Sequence, residues 1–227
     1  MKTFFFDIET IPNPNIPAPT FDPDEVKLGN TKDPVKIKAK LDEAELAFKD
    51  GLVKKMSLDP DLCQVVSFAW NHGDDETESL TDSMLSLKVT DMYIVASACN
   101  IITQAHLEGH VLVSFNGIGF DLPVLQRRAM LLNCKGIPGS IYQLLTKRYR
   151  PDVHFDVMQE LGAWQRDKLK KQDYYLRLFN VGTVSDMNGS MVYDAWKNEE
   201  YDRIAQYCAS DVDNLKALFG RIVNYLY

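Results

Sequence analysis

Two acidic side chains end the first apolar segment of the chain, "KTFFFDIETIP" at residues 2–12. A run of β-forming residues of this kind predicts a strand that is buried on both faces. Asp7 and Glu9 are two positions apart, so in a strand their side chains point to the same face, roughly 7 Å apart. Two like charges on a half-buried face repel each other and lose hydration. The stretch therefore suggests that a positive group, most obviously a divalent metal ion, offsets both carboxylates.

A second candidate carboxylate follows a later apolar strand. Asp121 lies in "LVSFNGIGFDLPVL", residues 112–125, after a Gly-containing turn and at the start of a helix that contains Pro123. An aspartate that caps a helix N-terminus is common and needs no function. Taken alone, this position leaves a structural role and a catalytic role open.

The third candidate site is "YCASDVDNL", residues 207–215, in which Tyr207 and Asp211 are four positions apart. On a helix they lie one turn apart on the same face. A half-buried tyrosine beside a surface aspartate would give the same pattern. Short motifs also arise by chance, because Asp74 and Glu76 repeat the Asp-x-Glu spacing in the polar turn "NHGDDETE". Only the three sites together support a functional interpretation.

Strand and helix signals alternate along the chain, which predicts an α/β fold. Apolar β-branched runs predict strands, and periodic apolar segments bounded by Gly or Pro predict helices. For residues 136–190 the sequence pattern predicts only short helices and loops. The predicted strands are 2–9, 62–70, 77–81 and 110–115, and the main predicted helices are 91–109, 123–132 and 199–225.

Residues 12–60 have the pattern of a helical insertion within a single domain of residues 1–227. A Pro-rich loop comes first, and "DPVKIKAKLDEAELAFKDG" follows with a full set of helix signals. Asp33 is the predicted N-cap, Pro34 occupies the first helical position and Gly51 follows the predicted end. Its charges form a solvated face, so no chemistry is assigned to the insertion.

Composition excludes several classes of protein. The chain has 227 residues, 45% of them hydrophobic, a formal net charge of −7 and a pI near 5.1. Proteins that coat long duplexes are usually basic, whereas an acidic total still permits local contact with a nucleic acid end. Four widely spaced cysteines favour reduced thiols in a cytoplasmic protein over a disulfide or zinc framework. We expect neither a signal peptide nor a membrane partner, because no apolar run is long enough.

The three sites read in order as D-x-E on the first strand, N-x-x-x-F-D after a later strand and Y-x-x-x-D on the last helix. This order resembles the DEDD superfamily of 3′–5′ exonucleases in its tyrosine-bearing branch (DEDDy), in particular the family related to the proofreading exonuclease domain of family B DNA polymerases. "CQVVSFAW" and "NGSMVYDAW" resemble that family's second strand and the helix before its last motif. The sister branch has histidine five residues before the last aspartate, where this chain has Gln206, so the tyrosine branch is assigned.

The resemblance implies a ribonuclease H-like fold, with a mixed central β-sheet flanked by α-helices. It also implies a two-metal-ion 3′–5′ exonuclease that releases nucleoside 5′-monophosphates, with Mg²⁺ or Mn²⁺ as cofactor. Asp7 would bridge both ions, Glu9 and Asp211 would bind the ion on the side of the attacking water, and Asp121 would bind the other. Tyr207 would orient that water, since a phenol with a pKa near 10 is a poor base at pH 7.

Smaller roles and partners follow from the same resemblance. The backbone around Thr10 would meet the 3′-OH of the terminal sugar, and Asn116 would brace its turn or contact DNA. Phe120 would pack near the terminal nucleotide, although plain core packing explains it equally well. The implied partners are nucleic acid with a free 3′ end, above all single-stranded DNA, and a DNA polymerase or a replication or repair complex.

Residues 147–171 hold seven Lys or Arg residues against four acids, with Tyr149 and Trp164 among them. Basic residues interleaved with aromatics suit a single strand, and a solvated surface would look the same. Asp156 and Asp213 are interpreted as structural or electrostatic acids. The alternatives are a catalytically inactive nucleic-acid-binding or polymerase-associated module on the same fold, an endonuclease, and a structural protein whose acids only cap elements.

Overall fold

The computed structural model describes residues 1–73, 75–82, 91–134, 141, 143–144, 146–147 and 149–226. Asp74 and Arg148, which the sequence interpretation used, lie outside these residues. The strands are β1 (Thr3–Pro12), β2 (Cys63–Asn71), β3 (Glu78–Thr81), β4 (Val111–Ser114) and β5 (His154–Asp156). The α-helices are α1 (Pro34–Leu58), α2 (Asp91–Leu107), α3 (Asp121–Leu131), α4 (Val157–Leu161), α5 (Gln172–Phe179), α6 (Val192–Lys197) and α7 (Tyr201–Leu226). Short 3₁₀ turns cover Pro23–Glu25, Arg166–Lys168 and Gly189–Met191.

The five strands form one mixed sheet in the order β3-β2-β1-β4-β5. Strand β1 pairs antiparallel with β2 and parallel with β4, while β2 and β3 are antiparallel and β4 and β5 are parallel. The register places Phe5 opposite Val113, so β4 ends while β1 continues to Pro12. The second half of β1 therefore has a strand partner on one side only, and Asp7 and Glu9 lie in that half.

The side chains of β1 alternate between two hydrophobic layers, as the period of a strand requires. Phe4, Phe6 and Ile8 belong to the buried cluster that includes residues of α2 and α3. Phe5 belongs to the opposite cluster with α7, where its ring meets Phe219 edge-on at 5.6 Å. Because each fully buried aromatic or aliphatic side chain contributes about 1.5–3 kcal/mol, these residues fix the register of β1.

A β-bulge lies directly after Glu9. Glu9 is opposite Ser67 but Thr10 is opposite Val65, so Val66 is an extra residue on β2. Val66 and Ile11 pack together in a third buried cluster with α6 and the start of α7. Bulges change the direction of a strand and are frequent beside functional sites. Here the bulge falls immediately after the two acids, and Ile11 beyond it packs in the same cluster as residues of α6.

The helix of the 12–60 segment begins as predicted but ends later. The side chain of Asp33 accepts a hydrogen bond from the amide of Val35 at 2.9 Å, which confirms the N-cap. The predicted end at Gly51 is wrong, because α1 continues to Leu58. A Cβ at Gly51 would meet nothing within 4 Å, so the glycine is simply an exposed interior residue. The extra turns bring Met56 into the buried interior.

The remaining predicted elements are largely confirmed. Strands β2, β3 and β4 and helices α2, α3 and α7 lie within two residues of their expected bounds. One face of α7 is apolar and is buried at Ile204, Leu215, Leu218 and Ile222. Strand β5 was missed, since three residues carry no periodic signal. Within the described part of the chain, no helix combines the length and the apolar character needed to cross a membrane.

Candidate active site

Three carboxylates from the two ends of the chain meet at the open half of β1. Asp7 and Glu9 come from β1 and Asp211 from α7, and one oxygen of each lies within 4.8 Å of one oxygen of both others. Helix α7 packs closely against β1 at this level, where the thiol of Cys208 lies 3.6 Å from the carbonyl oxygen of Asp7. The shared face predicted for Asp7 and Glu9 thus points at the last helix.

Asp121 lies beside this triplet at the first residue of α3. The N-cap of α3 is Phe120, which makes no side-chain cap bond, so the interpretation of Asp121 as an N-cap is wrong. Asp121 is 2% exposed, and its Oδ1 has no hydrogen-bond partner among the described residues. Its charge raises the pKa values of both Asp7 and Glu9, although Asp121 does not belong to the 4.8 Å group. Buried carboxylate oxygens without a partner are rare in folded proteins, and a water molecule or a cation would satisfy this one.

The pKa values of all four carboxyl groups are raised. Burial is the largest cause for each; for Asp7 it is followed by the charges of Asp121, Glu9 and Asp211. The pKa of Asp121 rises to about 7 and that of Asp211 to about 6. No Lys or Arg in the described ranges lowers the pKa of any of the four. The cluster is therefore an arrangement of carboxyl groups whose negative charges, when ionised, are not offset by a basic side chain of the described residues.

Tyr207 lies one helical turn before Asp211, and its hydroxyl donates a hydrogen bond to the Asp211 carboxylate. Burial raises the pKa of Tyr207, and the charges of Glu9, Asp211 and Asp7 raise it further. The phenol is accordingly protonated at neutral pH. Gln206, at the position of the sister-branch histidine, is exposed to solvent.

The turn between β4 and α3 is braced by Asp156 at the end of β5. Its carboxylate accepts hydrogen bonds from the amides of Asn116 at 2.9 Å, Ile118 at 3.0 Å and Gln159 at 3.2 Å. Asn116 adopts a left-handed φ of 69°, a conformation that asparagine tolerates better than most residues. The structural interpretation of Asp156 is confirmed, and Asn116 is part of the turn that delivers Asp121 to the site.

The other two predicted substrate contacts have clear structural roles. The hydroxyl of Thr10 donates a hydrogen bond to the carbonyl oxygen of Ser57 at 2.6 Å, which fastens the end of α1 to β1. The ring of Phe120 is half-buried and packs against the cluster beneath α2 and α3. Contacts of either residue with a nucleotide stay predictions.

Sequence reasoning missed one residue that links the site to its surroundings. The side-chain amide of Gln172, at the first residue of α5, donates a hydrogen bond to the carbonyl oxygen of Asp211 at 2.9 Å. No motif contains Gln172, so no signal in the sequence could have found it. Asp213 bonds to the hydroxyl of Thr77 and supports the turn before β3, which confirms its structural interpretation.

The donor set fits divalent metal ions. Mg²⁺ and Mn²⁺ prefer hard carboxylate oxygens, and Mg²⁺ needs only one or two carboxylates because it keeps several waters. The unpartnered Oδ1 of Asp121 and the converging oxygens of Asp7, Glu9 and Asp211 offer such ligands. Asp7 lies next to both groups, since its pKa responds to Asp121 as well as to Glu9 and Asp211.

The sheet order, the flanking helices and the carboxylate cluster define an α/β protein of the ribonuclease H-like class. A family model described as "Predicted 3'-5' exonuclease related to the exonuclease domain of PolB" matches residues 58–225, well over half of the chain. The chain belongs to this family, which confirms the resemblance stated from the motifs. The match leaves out β1, so the assignment of Asp7 and Glu9 rests on motif order and geometry.

Among solved structures, the chain is similar to the family B DNA polymerase from the hyperthermophilic archaeon Pyrobaculum calidifontis, with a TM-score of 0.57 and 16% sequence identity. The similarity covers 99% of this chain and 25% of the polymerase chain, so this chain spans about a quarter of that protein's length. At this identity the likeness concerns the fold alone, and it confirms the predicted fold class. Comparison with curated protein sequences gives no match.

Proposed function

We propose that the protein is a metal-dependent 3′–5′ exonuclease that hydrolyses single-stranded DNA from its 3′ end to nucleoside 5′-monophosphates. One observation carries the proposal: carboxylates from β1 and α7 converge with Tyr207, whose hydroxyl is bonded to Asp211. Asp121 adds a buried carboxylate oxygen without a protein partner. Membership in a family of predicted 3′–5′ exonucleases supports the same reaction class.

Two divalent ions, Mg²⁺ or Mn²⁺, would be held by these residues. Asp7 would be shared between them, Glu9 and Asp211 would complete one position, and Asp121 would complete the other. Bound divalent ions polarise a phosphoryl oxygen, lower the pKa of water and stabilise both the attacking and the leaving oxygen of an in-line displacement. The uncompensated charge of the cluster provides the affinity for these cations.

The side chains of the protein position the reactants. Tyr207 stays protonated, so its hydroxyl orients the attacking water by hydrogen bonding rather than by removing a proton. The backbone at Thr10 receives the 3′-OH of the terminal sugar, while Asn116 and Phe120 border the terminal nucleotide. The neighbouring Asp211 carboxylate fixes the direction of the Tyr207 hydroxyl.

We further propose that residues 12–60 are an insertion in one exonuclease domain. The family match begins at residue 58, and Met56 is the one buried side chain of α1. A DNA polymerase or a replication or repair complex in the cytoplasm is the proposed setting of the activity. Exposed side chains along α1, among them Leu46 and Val53, are available to such a partner.

The test of the reaction is incubation of the protein with 3′-labelled single-stranded DNA and RNA in Mg²⁺, Mn²⁺ or a chelator. We expect release of labelled nucleoside 5′-monophosphate from DNA, no release in the chelator, and no degradation of a 5′-labelled strand whose 3′ end is blocked. Degradation that proceeds unchanged on the blocked strand would instead identify an endonuclease. Binding without hydrolysis in either metal would identify an inactive nucleic-acid-binding module.

A further inference from the structure

Two open clefts lie next to each other along residues that adjoin the candidate active site. One, of about 410 Å³, is bordered by Phe115, Asn116 and Gln172 among others, and the second, of about 600 Å³, lies along α5. Lys170 and Lys171 border both clefts, so the two clefts are neighbours, and we call them together the path. The path begins at residues already tied to the site, because Asn116 belongs to the turn before Asp121 and Gln172 bonds to the carbonyl oxygen of Asp211 at 2.9 Å.

Helix α5 has one buried face and one exposed face. Tyr175 and Leu176 are buried in the cluster that α7 also forms. Lys171, Tyr174 and Arg177 are spaced three residues apart and are exposed, and all three border the larger cleft. Positions with this spacing lie on one side of a helix. We call Lys170, Lys171, Tyr174 and Arg177 the α5 face.

The charges of the α5 face are available to a ligand. Elsewhere in this basic region Lys168 pairs with Asp167 and Arg150 pairs with Asp152. No carboxylate among the residues that the structure describes forms an ion pair with Lys170, Lys171 or Arg177. Three unpaired bases with one acid, Asp173, border a cleft of a protein whose net charge is −7.

The α5 face also presents an aromatic ring. Tyr174 is 50% exposed, and its contact with Tyr175 is edge-to-face at 5.3 Å and 82°, so part of its ring surface remains exposed to solvent. Base-on-aromatic stacking combined with a positively charged groove is the usual way to hold single-stranded nucleic acid without sequence preference. The face contains both components within one short helix and the two residues that precede it.

We propose that the α5 face binds the single-stranded DNA that extends from the 3′-terminal nucleotide towards the 5′ end. Lys170, Lys171 and Arg177 bind phosphates, and Tyr174 stacks on a base. From Lys171 to Leu178 the helix rises about 10 Å, which spans at most about three nucleotides at 3.4 Å each. The inference rests on the proposed function, since the strand must present its 3′ end to the carboxylates.

The binding test compares two triple variants of equal charge change. One is Lys170→Gln/Lys171→Gln/Arg177→Gln, and the control is Lys32→Gln/Lys36→Gln/Lys38→Gln, whose side chains are exposed in or beside α1. Fluorescence anisotropy follows binding of 5′-labelled oligothymidylate eight nucleotides long in Ca²⁺, with the length of the strand checked afterwards. We expect the slope of log affinity against log salt to shrink by about 2 in the α5 variant, at about 0.7 per lost phosphate contact on a single strand.

Tyr174 is tested separately with the same probe. Tyr174→Ala should weaken binding about 5- to 100-fold, the range for loss of one stacked base, whereas Tyr174→Phe should retain the affinity. Unchanged binding and an unchanged salt slope in both α5 variants would overturn the proposal, as would an equal effect in the α1 control. Thermal unfolding of each variant establishes that the fold is retained.

A second readout separates this inference from the proposed function. For the wild-type enzyme, kcat/KM should rise from two to about five nucleotides and then level off, and the α5 variants should flatten that rise. If binding depends on the α5 face but no hydrolysis occurs, the exonuclease proposal is refuted and the inference about the α5 face is retained. If hydrolysis occurs but the variants do not alter its dependence on strand length, the inference about the α5 face is refuted and the exonuclease proposal is retained.

Discussion

Replacing Asp121 by asparagine should stabilise the metal-free protein while weakening its response to metal. The side chain of Asp121 is buried, its Oδ1 has no partner, and its charge raises the pKa of Asp7 and Glu9. Asparagine has nearly the same shape but no charge. The substitution therefore removes a repulsive charge from the fold and a ligand from the proposed metal site in one step.

The magnitude follows from the pKa of Asp121, which burial raises from 3.8 to about 7. A carboxyl group with a raised pKa in the folded state stabilises the fold fully below its unfolded pKa, and the advantage is lost as the pH rises through the folded pKa. At 1.36 kcal/mol per unit, ionisation of Asp121 at pH 8 costs up to about 4 kcal/mol. We expect Asp121→Asn to raise the free energy of unfolding by about 1–4 kcal/mol at pH 8, and by less than half as much at pH 5.

The assay is urea unfolding at pH 8, in a chelator and in excess Mn²⁺ or Mg²⁺. The free energy of unfolding of the wild-type protein should rise by about 2.7 kcal/mol when the metal is at a hundred times its Kd, and that of Asp121→Asn should rise clearly less. Asp202→Asn, an exposed acid on α7, is the matched control and should change neither value. If Asp121→Asn destabilised the chelated protein, or gained as much from metal as the wild type, the assignment of Asp121 as a ligand would be wrong.

Three further predictions use other parts of the molecule. In single-turnover assays Asp7→Ala should reduce hydrolysis to background, whereas Tyr207→Phe should slow it about 10- to 1000-fold without changing Mn²⁺ affinity. Gly51→Ala should raise the free energy of unfolding by about 1 kcal/mol, since nothing lies within 4 Å of the new Cβ, while Gly109→Ala should lower it because φ is 80°. Burial lowers the pKa of His154 to about 3, so the folded protein keeps this imidazole neutral and loses stability as the pH falls below about 6.5, where the unfolded chain binds a proton. From pH 6.5 to 5, the free energy of unfolding of the wild type should fall about 2 kcal/mol further than that of His154→Gln, as measured by urea unfolding.

Local periodicity determined which parts of the site the sequence could predict. Asp7 and Glu9 share a face because a strand repeats every two residues, and Tyr207 and Asp211 share one because a helix repeats about every four. Both relations hold within a few residues, whatever surrounds them. The relative position of β1 and α7 cannot be read from local periodicity. Only the packed fold shows that the face of Asp7 and Glu9 points at the face of Tyr207 and Asp211.

Features that depend on distant partners or on exact backbone dihedrals were out of reach. Strand β5 has three residues and exists because His154 and Phe155 pair with β4, some 40 positions earlier. The cap of α3 falls at Phe120, with φ −135° and ψ −69°, rather than at Asp121. The bond from Gln172 to the backbone of Asp211 joins residues 39 positions apart. None of these contacts has a signature within its own sequence window.

The carboxylate cluster is held together by hydrophobic packing rather than by mutual attraction. Ile8, between the two β1 acids, belongs to the cluster under α2 and α3, while Cys208 belongs to the cluster under α7. Tyr207 packs against a third cluster with Ile11. Each fully buried large side chain contributes about 1.5–3 kcal/mol, so the three buried clusters together outweigh the repulsion of the acids. Because packing and not charge sets the positions, neutralising one acid should leave the fold intact, and a loss of hydrolysis in such a variant would reflect lost chemistry.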